Sequence, residues 1–485
     1  MSMSNTPTIS LTNTYGRELE DFVPIDPAIV HVYTCGPTVY NYAHIGNFRA
    51  FIFADSLRRM LEYNNFHVTH VRNITDVGHL TDETLNTGID RIERAARERD
   101  MSPWDIAAFF TQAFLRDADM LNLLRPTYMP HATEFIAQMI QLAEVLIAKD
   151  YAYVSAGNVY FDVARFRQYG ALSGNTVSDL IEEHRVESGE GKRSPADFAV
   201  WKATEPDKLM HWPSPWSEGV PGWHLECSAM AMDLLGEQID IHTGGIDNIF
   251  PHHEDEIAQS EAATGCRFAR YWMHSAWLQG TDAEKMSKST GNIFTVEELV
   301  SEGIQPLAFR FFTFQAHYRT PLSFSWEALE ASQTALIRLW EAAAEFYQAK
   351  DDGPVTTEAE ELRRQFHAAI NRDLDLPSAL AVTHGVVGAK ISPADKYALL
   401  LDFDQVLGLS IEEVAGVLSR VSTDESKLLE QRAESRQNKD WVRSDALRSE
   451  LLQRSLDVKD TPEGQRWVRK DALEAGAVPG PKNQG

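Results

Sequence analysis

A chain of 485 residues with a net charge of −26, 43% hydrophobic and 24% charged, is long enough for about three domains and too apolar to stay disordered. Its three cysteines, Cys35, Cys227 and Cys266, are scattered and odd in number, which argues against a secreted disulfide scaffold and for a reducing, cytoplasmic setting. Neither a run of 18 apolar residues nor a basic-then-apolar leader in residues 1–24 occurs, so no membrane association is expected, and the charge alone argues against a polyanionic partner.

In chain order, residues 30–35 (VHVYTC) predict a buried strand. The turn GPTVYNYAH leads into a helix in which Phe48, Phe51, Ile52, Ala54, Leu57 and Leu61 keep helical spacing, and residues 67–77 predict a second strand. Strand, helix and strand within about 45 residues have the size of a βαβ unit, and hence imply an α/β fold with a parallel sheet. Residues 126–200 read as an inserted α+β piece. Phe135, Ile136, Met139, Ile140, Leu142 and Leu146 mark its helix, and alternation around Gly157-Asn158 predicts a hairpin. Mixed strands and helices return at 201–310, with a strand over 238–245. From about 326 to 450 the pattern is helical, and residues 475–485 read as a frayed tail.

Two motifs bracket the α/β region. His44-Ile45-Gly46-Asn47 stands where a turn becomes a helix, and the free amides and positive dipole end there suit a phosphate. On its own it is a weak pattern that reads more readily as a surface turn before a helix. Lys285-Met286-Ser287-Lys288-Ser289 lies in a polar, glycine-flanked loop, a donor-rich clamp for phosphate charge whose bland reading is a solvated loop.

His252 and Glu256 sit at i and i+4 and share a helix face, Pro251 fits a first helical position, and His253 points elsewhere. Taken alone, HHEDE is also a solvated acidic helix start. Cys35 and Cys227 lie too far apart for any short metal-finger spacing and by themselves read as buried thiols. Residues 431–470 carry ten Lys/Arg against seven Asp/Glu in an otherwise acidic chain. Arg436, Trp441 and Asp445 recur near helical spacing there, and Asp460 precedes a turn. A stacking aromatic with Arg and Asp to read base edges suits single-stranded RNA; a solvated amphipathic helix is the alternative.

His44–Asn47 and Lys285–Ser289 resemble the HIGH and KMSKS signatures of class I aminoacyl-tRNA synthetases. With YTCGPTVYNYAHIGNFR, PGWHLECSAM, FPHHEDEIAQSE and YWMHS, the chain from about Leu11 to Lys470 resembles the cysteinyl-tRNA synthetases of that class. Asn47 departs from the signature's usual His. The resemblance implies a Rossmann-type parallel-sheet catalytic domain in two halves, 25–125 and 201–310, around the 126–200 insertion. A stem-contact region and helical bundle (311–430), an anticodon-binding region (431–470) and a flexible tail (471–485) would follow.

It further implies ATP-dependent activation of L-cysteine and its transfer to tRNA(Cys) by a monomer, with Mg²⁺ accompanying ATP. His44, Lys285 and Lys288 would be catalytic, and His44, Gly46, Asn47, Gly244, Asp247 and Lys288 would bind ATP. Thr75 and Trp223 would line the cysteine pocket, with His242 beside it, placed to take the thiol proton. Cys35, Cys227, His252 and Glu256 would hold one Zn²⁺ that selects the substrate thiolate, and Arg436, Trp441, Asp445 and Asp460 would read the anticodon. A cysteine ligase acting on an amino sugar would lack the anticodon-binding end, and a non-catalytic tRNA-binding relative would not need both signatures and all four metal-ligand matches.

Overall fold

The computed structural model describes residues 8–473 except 79–90, 177–190, 205–207, 281–292, 349–355 and 462–463. Lys285, Lys288 and the tail from residue 474 therefore lie outside the described residues. Strand Ile29–Thr34, helix Ile45–Tyr63 and strand His67–Arg72 form the βαβ unit. Val30, Val32 and Tyr33 are all buried, as in a strand covered on both faces. The second strand ends at Arg72, sooner than the sequence pattern suggests. Beyond it the Asn73 side chain, not a ladder carbonyl, accepts the Gly36 N–H at 2.7 Å, and pairing dwindles to single bridges at Ile74 and Thr75.

Strands Ile239–Gly245 and Ala269–Ser275 complete a four-stranded sheet in the order 269–275, 239–245, 29–34, 67–72, every pair parallel. The chain runs from Ile29–Thr34 toward one edge and from Ile239–Gly245 toward the other. At such a reversal a crevice opens beyond the strands' C-terminal ends, where Cys35 and Gly245 lie.

The inserted piece holds helix Ile136–Ala148 and the hairpin Ala152–Ser155/Asn158–Phe161. Its loop is Ala156-Gly157 rather than Gly157-Asn158. Ser155 pairs with Asn158, and φ is +49° at Ala156 and +81° at Gly157, as a type I′ turn requires. The hairpin joins Phe198–Ala203, Glu218–Pro221 and Trp212–Pro213 in a five-stranded antiparallel sheet. That sheet runs past residue 200 to Pro221, straight into helix Trp223–Leu235.

Helix Pro306–Thr313 docks on helix Ile45–Tyr63 through a buried charge cluster. Arg310 Nη2 donates to Asp55 Oδ2 at 2.6 Å, Arg59 Nε donates to the same oxygen at 2.8 Å, and the Leu124 N–H reaches Oδ1 at 2.7 Å. Five helices between Trp326 and Leu418 then pack as a bundle, with the Phe366 and Phe403 rings stacked 3.9 Å apart. Side-chain caps at Ser325, Thr356, Asp375 and Ser392 start four of them. Last come helices Thr423–Gln437 and Trp441–Gln453 and the antiparallel hairpin Leu456–Thr461/Gly464–Arg469, around a small core of Leu429, Leu451, Leu456 and Val458. Among the described residues no helix is long and apolar enough to cross a membrane.

Candidate active site

A cleft of about 1110 Å³ opens at the sheet reversal, lined by Cys35, His44, Gly46, Asn47, Trp223, Gly244 and Asp247 among others. His44 is the N-cap of helix Ile45–Tyr63, so the helix turns its positive end to this space, with the Ile45 N–H donated to the Phe294 carbonyl and the Asn47 N–H to the His44 carbonyl, each at 2.8 Å. Asn47 Oδ1 accepts the His44 N–H at 3.1 Å, so the residue that departs from the family signature serves to cap the helix. A Cβ at Gly46 would fall 2.9 Å from the His44 ring, and one at Gly244 would fall 2.7 Å from the His253 ring. Both positions therefore require close approach. The Asp247 carboxylate accepts the Trp277 indole N–H at 3.3 Å and is thereby oriented at the rim.

Four donor groups converge beside the cleft. Cys35 follows strand Ile29–Thr34, and Cys227 sits on helix Trp223–Leu235. His252 lies in the turn Ile249–His253, and Glu256 in the helix Glu254–Thr264 that continues it. The sulfurs are 3.9 Å apart, Cys227 Sγ is 3.6 Å from His252 Nε2, Cys35 Sγ is 3.7 Å from Glu256 Oε1, and that oxygen is 3.0 Å from His252 Nε2. A tetrahedral zinc at about 2.3 Å from sulfur and about 2.0 Å from nitrogen and oxygen needs edges of about 3.8, 3.5 and 3.3 Å. The donor set fits that ion in both chemistry and size.

Charge is already distributed as such a site needs. Burial pushes Cys35 well up, whereas for Cys227 the hydrogen bond from Cys35 and the nearby His252 override burial and bring the thiol down to about 6. Burial would raise Glu256, but His242 and His252 hold it at about 2. Burial would lower His252, but Glu256 lifts it to about 10.

His253 departs from the sequence reading. Its Nε2 lies 3.2 Å from Cys35 Sγ, and Cys35, His242, His253 and Glu256 make a second compact donor set sharing two members with the first. The one-face rule fails because Ile249–His253 is a wider turn with an extended Phe250 (φ −138°, ψ 134°), and the α-helix begins only at Glu254.

Partners absent from the sequence reading hold the ligands. His252 Nδ1 meets His224 Nδ1 at 2.8 Å, and His224 Nε2 lies 3.2 Å from Asp255. His253 Nδ1 meets His274 Nε2 at 2.7 Å, and His274 Nδ1 meets Thr14 at 2.8 Å. Burial drives His253 and His274 well below the ordinary imidazole range, so both stay neutral. His224 follows Trp223 and precedes Cys227 on one helix. That spacing was the available signal.

Trp223 lines the cleft and lays its ring 4.4 Å from that of His252. Thr75 and His242, like Cys227, His252 and Glu256, are not among the lining residues. The Thr75 hydroxyl donates to buried Glu226 at 2.8 Å, and His242, fully buried, spends Nε2 on Glu256 Oε2 at 2.8 Å. His242 thus stands behind the carboxylate and not at the cleft wall.

At the C-terminal end, Arg436 and Trp441 lie on different helices, and the turn between them, with Lys439 at φ +60°, places the guanidinium 5.4 Å from the ring centre. Trp441 is half exposed, Asp445 is exposed one turn further on, and Asp460 pairs with both Arg432 and Arg436.

Comparison with known proteins agrees with this layout. Residues 21–334 match the family described as tRNA synthetases class I (C) catalytic domain, and residues 419–467 match the cysteinyl-tRNA ligase anticodon binding domain. The chain is 44% identical over 460 residues to cysteine–tRNA ligase 1 of Burkholderia lata, covering 94% of this chain and 96% of that one. It is 41% identical over 474 residues to the cysteine–tRNA ligase of Thermus thermophilus, covering 94% and 98%. In fold it is similar to methionyl-tRNA synthetase of Mycobacterium tuberculosis bound by methionyl-adenylate (TM-score 0.54, 13% identity, 81% and 94% covered). It is likewise similar to the LeuRS–tRNA–LeuAMS complex of Agrobacterium radiobacter K84 (TM-score 0.56, 12% identity, 81% and 86% covered).

Proposed function

The chain belongs to the cysteine–tRNA ligase family of class I aminoacyl-tRNA synthetases, and from that premise we propose how its residues divide the work. The cysteine carboxylate attacks the α-phosphorus of ATP in line, releasing pyrophosphate and leaving cysteinyl-adenylate. A ribose hydroxyl at the 3′ end of tRNA(Cys) then takes the cysteinyl group, and AMP departs. The positive helix end at His44–Asn47 and the His44 ring face the phosphates, Gly46 and Gly244 let the nucleotide approach the backbone, and Asp247 holds the ribose hydroxyls. Lys285 and Lys288 neutralise charge building on the phosphates beside Mg²⁺. Positioning and electrostatics suffice; no covalent enzyme intermediate is needed.

Cys35, Cys227, His252 and Glu256 hold Zn²⁺. When bound, that ion offers the substrate sulfur a ligand position and lowers its thiol pKa from about 8.5, an advantage serine's harder, less acidic hydroxyl does not share. A preference of about 10⁴, or about 5.5 kcal/mol, is then accessible without editing. Trp223 walls the pocket against His252 and fixes the ring that carries one ligand. Family resemblance further favours a monomeric, cytoplasmic enzyme.

The observation that carries this reading is the convergence of the four donors behind the wall of the cleft, Cys35 reaching its lining, where the His44–Asn47 helix start also lies. The anticodon-domain match over residues 419–467 disfavours an amino-sugar acceptor. The test is Cys227→Ser. It should abolish zinc retention and cysteine-dependent pyrophosphate exchange while ATP binding persists. Wild-type charging by a zinc-free variant would refute it.

A further inference from the structure

Arg432 has under 2% of its side chain exposed, although a guanidinium so deeply buried needs full compensation. Its two terminal nitrogens grip both oxygens of Asp460, each at 2.9 Å, and one of them also reaches Gln465 Oε1 at 2.8 Å. Asp460 and Gln465 face each other across the hairpin Leu456–Thr461/Gly464–Arg469, so one planar fork spans a cross-strand pair and pins it to helix Thr423–Gln437. Gln465 returns a hydrogen bond to the Leu429 carbonyl at 2.6 Å. Arg436 shares Asp460 Oδ2 with Arg432, also at 2.9 Å, but it is 36% exposed and lies against the half-exposed ring of Trp441.

The two arginines are therefore unequal partners of one carboxylate. An exposed pair such as Arg436–Asp460 contributes little and exchanges readily, whereas a bidentate fork whose guanidinium is buried, as Arg432's is, stays in place. Were Arg436 to turn toward a base stacked on Trp441, Asp460 would keep its compensation from Arg432.

We propose that Arg432 is a positioning residue for anticodon recognition: it fixes the plane of the Asp460 carboxylate so that Arg436 is free to leave it for the RNA. The proposal rests on the reading of Arg436, Trp441 and Asp460 as anticodon contacts. Lysine at 432 keeps the charge but loses the fork, so the carboxylate swings and ties Arg436 down.

The full-length enzyme with Arg432→Lys should retain wild-type pyrophosphate exchange without tRNA. Its kcat/KM for cognate tRNA should fall about tenfold or more, mainly through KM, and discrimination against a transcript with one substituted anticodon base should fall by a similar factor. Gln465→Ala removes the other partner of Arg432 without touching the carboxylate pair, and should leave discrimination unchanged. Equal losses for both transcripts with Arg432→Lys, or a loss of discrimination with Gln465→Ala, would make Arg432 a packing residue and overturn the proposal. Asp460→Asn separates the premise: if it discriminates as well as wild type, the anticodon reading of Asp460 has failed.

Discussion

The thiols of Cys35 and Cys227 stand 3.9 Å apart beside the cleft, though 192 residues separate them in the chain. A strand end supplies one and the first turn and a half of a helix the other, so the parallel sheet and the insertion must both fold before the pair exists. Stripping the metal with a chelator should leave ATP binding intact and lower the preference for cysteine over serine. The fall should run from the order of 10⁴ to the roughly 10²-fold or less that packing alone can give. Pyrophosphate exchange with each amino acid measures it, and an unaltered ratio would remove the metal from selection.

The contact of His224 with His252 Nδ1 leaves Nε2 of that ring facing the proposed metal position. His224→Ala should weaken zinc affinity about 10–100-fold, the range for losing such an outer partner. Competition against a chromogenic chelator reads this directly. Unchanged affinity would mean the His252 tautomer is set elsewhere.

How much of this was visible in the sequence differs residue by residue. The βαβ unit followed from apolar spacing, and the His252–Glu256 pairing from an i, i+4 step that survives the irregular turn. Cys35 and Cys227 carried no local pattern, because their partnership is created by long-range topology; only resemblance to a family named them. His253 was misplaced because helix periodicity was extended into Ile249–His253, where the backbone is not yet α-helical. The Arg436–Trp441 contact likewise came from a turn between two helices and not from one continuous helix. Buried partners such as Glu226 and His274 look like any other polar residue until the fold surrounds them.

Lys288 lies outside the described residues, so its expected contribution follows from the motif and its chemistry. Lys288→Ala should lower adenylate formation on the order of 10²–10³-fold, the usual loss for one preorganised donor to a charged transition state. Affinity for ATP should change far less. An unchanged kcat in pyrophosphate exchange would exclude this lysine from the phosphate clamp.

Asp55 tests the joint between helix Ile45–Tyr63 and helix Pro306–Thr313. Burial pushes its carboxyl up, but Arg59 and Arg310 outweigh burial and hold it well below its ordinary 3.8. A carboxyl depressed by folding stabilises the native state above its unfolded pKa and loses that contribution as pH falls toward the folded value. Asp55→Asn also strands Arg310, fully buried, without its counter-charge, which should cost about 3–5 kcal/mol at pH 7. The deficit should narrow as pH drops below about 4, because the unfolded chain then takes up a proton at Asp55 that the native ion pair excludes, and the wild type loses stability that the Asn variant never had. Urea unfolding of both proteins across pH 3–7 reads the difference, and a deficit constant over that range would show that packing, not the ion pair, holds this joint.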